Sequence, residues 1–174
     1  MRSKLQWDSL YHEHTFLYSL TALKSLLGQY GLTVVHAQRM EMHAGSLRIY
    51  ATPASNPRAT PAVGRLLREE EAAGLTSLVG WRRFGEQCQD TIDQARNVVD
   101  ALAAKFSFWG YGASGRAAMW ANACGQSAFE AIVDASPLRA GRYLPGTGTP
   151  IISPDDAKRQ ALPDFMFIYA WNYA

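Results

Sequence analysis

At 174 residues, 48% hydrophobic and 18% charged, the chain has the composition of one globular domain or of one domain with an appendage. Its formal net charge of +2, from 17 basic and 15 acidic residues, makes no electrostatic case for a nucleic-acid partner. The N-terminal residues carry no apolar signal core and no apolar run reaches membrane-spanning length. Cys88 and Cys124 stand far apart without a CxxC pairing, so the expectation is a soluble, cytoplasmic chain with no disulfide framework and no cysteine metal site.

In chain order, Ser19 to Tyr30 reads as an amphipathic helix, with Leu20, Leu23, Leu26, Leu27 and Tyr30 at three- and four-residue steps and Gly31 placed to end it. Leu32 to Met42 and Ser46 to Ala51 read as a strand pair around Ala44-Gly45. Thr52 to Pro61 is a linker by composition, and Ala62 to Ala73 a helix with a charged face. The spacing of Phe84, Cys88, Ile92, Ala95, Val99 and Leu102 predicts a longer helix over Arg82–Lys105. From Phe106 the pattern becomes strand, glycine loop, helix (Arg116–Cys124, stopped by Gly125), then strand (Phe129–Val133). Thr149–Ile152, a brief helix over Asp155–Gln160 and a last strand over Asp164–Tyr169 complete it. Strands alternating with helices predict a parallel sheet covered on both faces.

Three clusters carry chemistry. Tyr11-His12-Glu13-His14 packs two imidazoles, a carboxylate and a phenol into one tetrapeptide. Zinc-protease spacing is absent, whereas a histidine titrating near neutrality beside a carboxylate suits acid–base work. Gly110-Tyr111-Gly112-Ala113-Ser114-Gly115 fits G-x-G-x-x-G between a strand and a helix, with Asp134 about 20 residues on, where a dinucleotide fold holds a ribose hydroxyl. The same glycines are equally consistent with a tight turn and close helix–strand packing. Arg139 and Arg142 follow among turn residues, and His43-Ala44-Gly45-Ser46-Leu47-Arg48 sets a histidine, a hydroxyl and an arginine at a hairpin. A metal-dependent hydrolase on His12, His14 and His43 is a further reading, ranked last because no third ligand lies at a recognised spacing.

Taken together, these pieces resemble the sugar C-methyltransferases. The resemblance is carried by YHEH at Tyr11–His14 with Tyr18-Ser19-Leu20-Thr21-Ala22-Leu23 after it, HAGSLR at His43–Arg48, GYGASGRA at Gly110–Ala117, the stretch Ile132–Thr147, and Trp171-Asn172. It implies an S-adenosylmethionine-dependent enzyme that methylates a carbon of a nucleotide-linked 4-keto-deoxysugar. It also implies an α/β architecture: residues 1–55 as the C-terminal tail of a methyltransferase domain, contributing a helix and an antiparallel strand pair, and residues 56–174 as a Rossmann-like C-terminal domain. The family's zinc-binding part and adenosylmethionine loop are absent from this sequence. The expectation is therefore a fragment, inactive alone and with no cofactor bound.

By the same resemblance, His14 is the base, Glu13 orients it or bonds a sugar hydroxyl, and Tyr11 donates toward the sugar, with His12 structural. No residue is assigned to a metal. The expected partner is a nucleotide-diphosphate sugar, met by His43, Ser46, Arg48, Gly112, Ser114, Gly115, Arg116 and Arg142. Ala44, Ala118-Met119 and Gly148 stand where the family carries a glycine, Asn-Thr and a histidine. The competing reading is a non-catalytic nucleotide-sugar or dinucleotide-binding module. The sugar, the methylated carbon and the oligomeric state are not specified by sequence.

Overall fold

A computed structural model of the chain describes residues 5–42, 45–53, 58–125 and 129–169. The chain divides into two compact units, Thr15–Glu86 on one side and Met1–His14 with Gln87–Ala174 on the other.

In the Thr15–Glu86 unit, helix α1 (Leu20–Gln29) starts at Ser19, whose side chain accepts from Ala22 N at 3.1 Å. It ends in a Schellman pattern, with Leu32 N bonded to Leu27 O and Gly31 at φ +70°. Strands β1 (Thr33–Met40) and β2 (Ser46–Thr52) form an antiparallel hairpin, Met40 opposite Ser46 and Thr33 opposite Thr52. Helix α2 (Pro61–Ala72) begins with proline in its first turn, where no backbone donor is needed. Leu20, Val34, Ala37, Val63 and Leu66 form the buried core.

One carboxylate ties the unit together. Glu70 of α2 accepts from Leu20 N at 2.6 Å, Thr21 N at 2.8 Å and the Thr21 hydroxyl at 2.7 Å. A negative charge on the first amides of α1 satisfies donors that the helix itself cannot and meets the positive end of its dipole. Glu70→Ala is expected to destabilise this unit by about 2–3 kcal/mol in denaturant unfolding, with α1 the first element to lose amide-exchange protection.

Helix α3 (Leu78–Ala103) begins a turn earlier than the expected Arg82. The Ser77 hydroxyl accepts from Gly80 N at 3.1 Å and nucleates that turn, while Leu78 and Val79 are exposed and so add nothing to the apolar periodicity.

The other unit holds β3 (Phe108–Tyr111), α4 (Gly115–Cys124), β4 (Ala131–Val133), β5 (Ile151–Ile152), α5 (Pro154–Lys158) and β6 (Phe165–Ile168). The strands form a four-stranded parallel sheet in the order β5-β4-β3-β6. With the hairpin, the chain is α/β as expected. One sheet face packs Phe108, Ile132, Ile151 and Tyr169 against Ala113, Ala117 and Ala121 of the loop and α4, with Val99 from α3. The other packs Trp109, Ala131 and Val133 against Ala157 of α5. Gly110 lies between them because a Cβ there would fall 2.8 Å from the Tyr169 ring and 2.9 Å from Ile132. Helix α4 is capped by Ser114 and stopped by Gly125 at φ +63°, and Arg96 donates to the Ala123 and Cys124 carbonyls at 2.8 and 3.0 Å.

The chain leaves β3 toward β4 and β5, then returns to the far side of β3 as β6. That reversal makes the carboxyl edge of β3 and β6 the place where open α/β sheets take ligands. Among the described residues no helix is long and apolar enough to cross a membrane.

Candidate functional site

The carboxyl end of β3 opens into the glycine loop. Gly112 adopts φ +88°, accessible to glycine without strain, and donates to Val133 O at 2.8 Å. Asp134, at the end of β4 and 7% exposed, does not point away from the loop. Its Oδ2 accepts from Ala113 N at 2.7 Å and from Arg139 Nη1 at 3.2 Å, and its Oδ1 from Ser136 N at 2.8 Å. A dinucleotide fold turns this carboxylate toward a ribose hydroxyl. Here it holds the loop and the turn after β4, in keeping with the reading of these glycines as a tight turn with close packing.

The N-terminal segment of the same unit comes to the start of α4. Trp7–Ser9 forms a short 3-10 turn that the sequence reading missed. The Trp7 ring packs on Trp120 at 4.6 Å between centroids, and Asp8, 2% exposed, lies beneath. Asp8 accepts from Arg116 Nη1 at 3.3 and 3.4 Å and from Trp120 Nε1 at 3.3 Å. Arg116 and Trp120 stand one turn apart on α4 and therefore share a face.

From that anchor the chain passes into the Tyr11–His14 turn, closed by His14 N on Tyr11 O at 2.8 Å. The Tyr11 ring lies on Gly115, where a Cβ would fall 2.7 and 2.8 Å from its Cε2 and Cδ2. Two motifs about a hundred residues apart in sequence thus meet at the first residue of α4. The His14 and Tyr11 rings are 4.4 Å apart, and His14 Nδ1 lies 2.7 Å from the Ser9 carbonyl. A carbonyl oxygen only accepts, so Nδ1 carries the proton, and when the exposed ring is neutral its Nε2 keeps the lone pair. Gly115→Ala is expected to displace the Tyr11 ring from α4 and leave the sheet intact. The check is loss of nuclear Overhauser contacts between the Tyr11 ring and residue 115, with methyl shifts of Ile132 and Ile151 unchanged.

The remaining residues fall as follows. Glu13 is exposed and makes no hydrogen bond or ion pair among the described residues, so the contact that orients His14 is the Ser9 carbonyl. His12 is exposed, edge-on to Tyr11 at 6.0 Å. Gly112 and Ser114 form the loop and the α4 cap. Arg116 is mostly buried, its side chain 12% exposed, in the pair with Asp8. Arg142 is exposed in the turn before β5, and its guanidinium makes no ion pair among the described residues. Ser46 and Arg48 belong to the β1–β2 hairpin of the other unit, exposed, with the Ser46 hydroxyl on Met42 O at 2.9 Å. His43, Trp171 and Asn172 lie outside the described residues.

Asp8, Ser9 and Trp120 were missed by sequence reasoning; the signal available was Trp7-Asp8 immediately ahead of the motif. Elsewhere, burial pushes the Cys124 thiol up to about 11 and the Tyr169 phenol above its ordinary range, so neither offers a nucleophile at neutral pH.

The arrangement sets an imidazole whose Nε2 makes no hydrogen bond among the described residues beside a phenol, at the start of a helix. That suits removal of a proton from a bound molecule. Residues 41–174 match the family described as C-methyltransferase C-terminal domain. The chain is also similar to the C-methyltransferase NovU of Streptomyces niveus, 34% identical over 173 residues. That match covers 97% of this chain and 41% of the relative's length.

Proposed function

This chain belongs to the C-methyltransferase family, and we propose that it forms the substrate-docking and proton-removing portion of an enzyme that methylates a carbon of a nucleotide-linked 4-keto-deoxysugar. The observation that carries the reading is the Tyr11–His14 turn on Gly115, with His14 held in the Nδ1–H form. A ketone acidifies the neighbouring C–H. His14 Nε2 takes that proton, the C–H bond breaks, and its electron pair passes into an enolate. Tyr11 donates toward the sugar, and Glu13 bonds a sugar hydroxyl.

Gly112, Ser114 and Gly115, with Arg142, face the nucleotide diphosphate at the start of α4, where amides and dipole favour an anion, while Arg116 is held by Asp8. The family resemblance alone assigns His43, Ser46 and Arg48 to the sugar. On this reading residues 1–55 are the tail of the methyltransferase domain and residues 56–174 the C-terminal domain. S-adenosylmethionine supplies the methyl group in the intact enzyme. We place its site outside this chain, because Asp134 closes the one glycine loop described here onto itself, and the chain alone does not turn over.

Calorimetric titration of the chain with a deoxythymidine-diphosphate sugar, and separately with S-adenosylmethionine, tests this. Binding of the sugar nucleotide alone is expected. Tight binding of S-adenosylmethionine would overturn the assignment of its site, and binding of neither would remove the docking role.

A further inference from the structure

The structure carries an ion pair that the proposed chemistry does not use. Asp8 is 2% exposed, although Leu10 and His12–His14, a few residues further on, are exposed. Burying a carboxylate is costly, and Trp7 on Trp120 already supplies apolar attachment. What the carboxylate adds is direction. Its contacts to Arg116 and Trp120, at 3.3–3.4 Å, set its place along and around α4. One peptide unit further on is the Ser9 carbonyl that accepts from His14 Nδ1 at 2.7 Å. The backbone between them is tightened by Ser9 N on Gln6 O at 3.3 Å and Leu10 N on Trp7 O at 2.9 Å.

We propose that Asp8 is a positioning residue: through Arg116 and Trp120 it fixes the Ser9 carbonyl, which selects the Nδ1–H tautomer of His14 and aims Nε2 outward. This rests on the reading of His14 as the base. A carbonyl oriented from a buried anchor does here what a carboxylate does in triads, where the wrong tautomer alone removes most activity. It also explains why adjacent Glu13 is left exposed.

The test is nitrogen NMR of the histidine-labelled chain at a pH where the ring is neutral, with His14 assigned by its loss in His14→Gln. Wild type is expected to show a protonated Nδ1 and an unprotonated Nε2. Asp8→Asn keeps the shape and removes the charge, and is expected to relax His14 into a mixture of tautomers. In the full-length protein it is expected to lower kcat at least about tenfold with little change in KM. Trp120→Phe, which keeps packing and removes one donor, is expected to move both readouts the same way by less, and it decides the matter if Asp8→Asn does not fold. An Nε2–H tautomer in wild type, or an unchanged tautomer in the folded variants, overturns the proposal. If the tautomers behave as expected but His14→Gln turns over normally, the assignment of the base has failed while the anchor stands.

Discussion

His14→Gln in the full-length protein is expected to lower kcat by about 10²–10⁴-fold while shifting the chain's unfolding free energy by no more than about 1 kcal/mol. The asymmetry follows from where His14 sits. Its ring is exposed, and its structural contribution is the bond to Ser9 O and contact with the Tyr11 ring. Glutamine keeps a donor of similar reach but has no nitrogen able to take a proton. Deuterium exchange at the carbon next to the sugar ketone, measured in the full-length protein without methyl donor, separates proton removal from methyl transfer. Exchange in wild type and none in His14→Gln is the expected result. Equal exchange in both would remove His14 as the base.

Tyr11→Phe is the milder companion. The ring stays on Gly115 and the hydroxyl goes, so a smaller fall in kcat is expected with the Tyr11–His14 turn preserved. Loss of the turn would mean that the phenol acts on the fold.

The fold was largely legible because its signals are local. Stops at Gly31 and Gly125 and apolar periodicity in α1 and α3 all lie within a few residues of what they specify. The strand–loop–helix at Gly110–Cys124 was legible for the same reason. What the sequence could not reveal is set by long-range contact. Asp8 meets partners 108 and 112 residues away, and Glu70 reaches back 50 residues to α1. No periodicity encodes such pairs.

The site shows the same division. The Tyr11–His14 motif and the glycine loop stood out by composition, whereas their meeting at Gly115 depends on a ring lying where a side chain is missing. Asp134 was left open by the sequence for a different reason. Its position in the chain is that of a ribose ligand, but which way a carboxylate turns depends on which donors the loop offers. Here Ala113 N and Ser136 N are close enough to take it.

Asp134→Ala therefore distinguishes a loop anchor from a ligand contact, and its expected effect is on stability first. Removal leaves the Ala113 and Ser136 amides without their acceptor and Arg139 without its partner. Unpaired amides cost about 1–3 kcal/mol each when buried, whereas the Arg139 pair adds little because that side chain is 49% exposed. A total of about 2–6 kcal/mol is expected in denaturant unfolding of the unit that holds the sheet. The loop, freed at Ala113, no longer presents Ser114 and Gly115 in one place, so affinity for a sugar nucleotide falls as a consequence. Asp134→Asn separates the two effects: one amide oxygen still accepts from Ala113 N, so most of the stability and most of the affinity return together. Were Asp134 a ribose ligand instead, Asp134→Ala would leave unfolding unchanged and weaken binding alone. Whether unfolding is affected at all thus decides whether this carboxylate belongs to the fold or to the ligand.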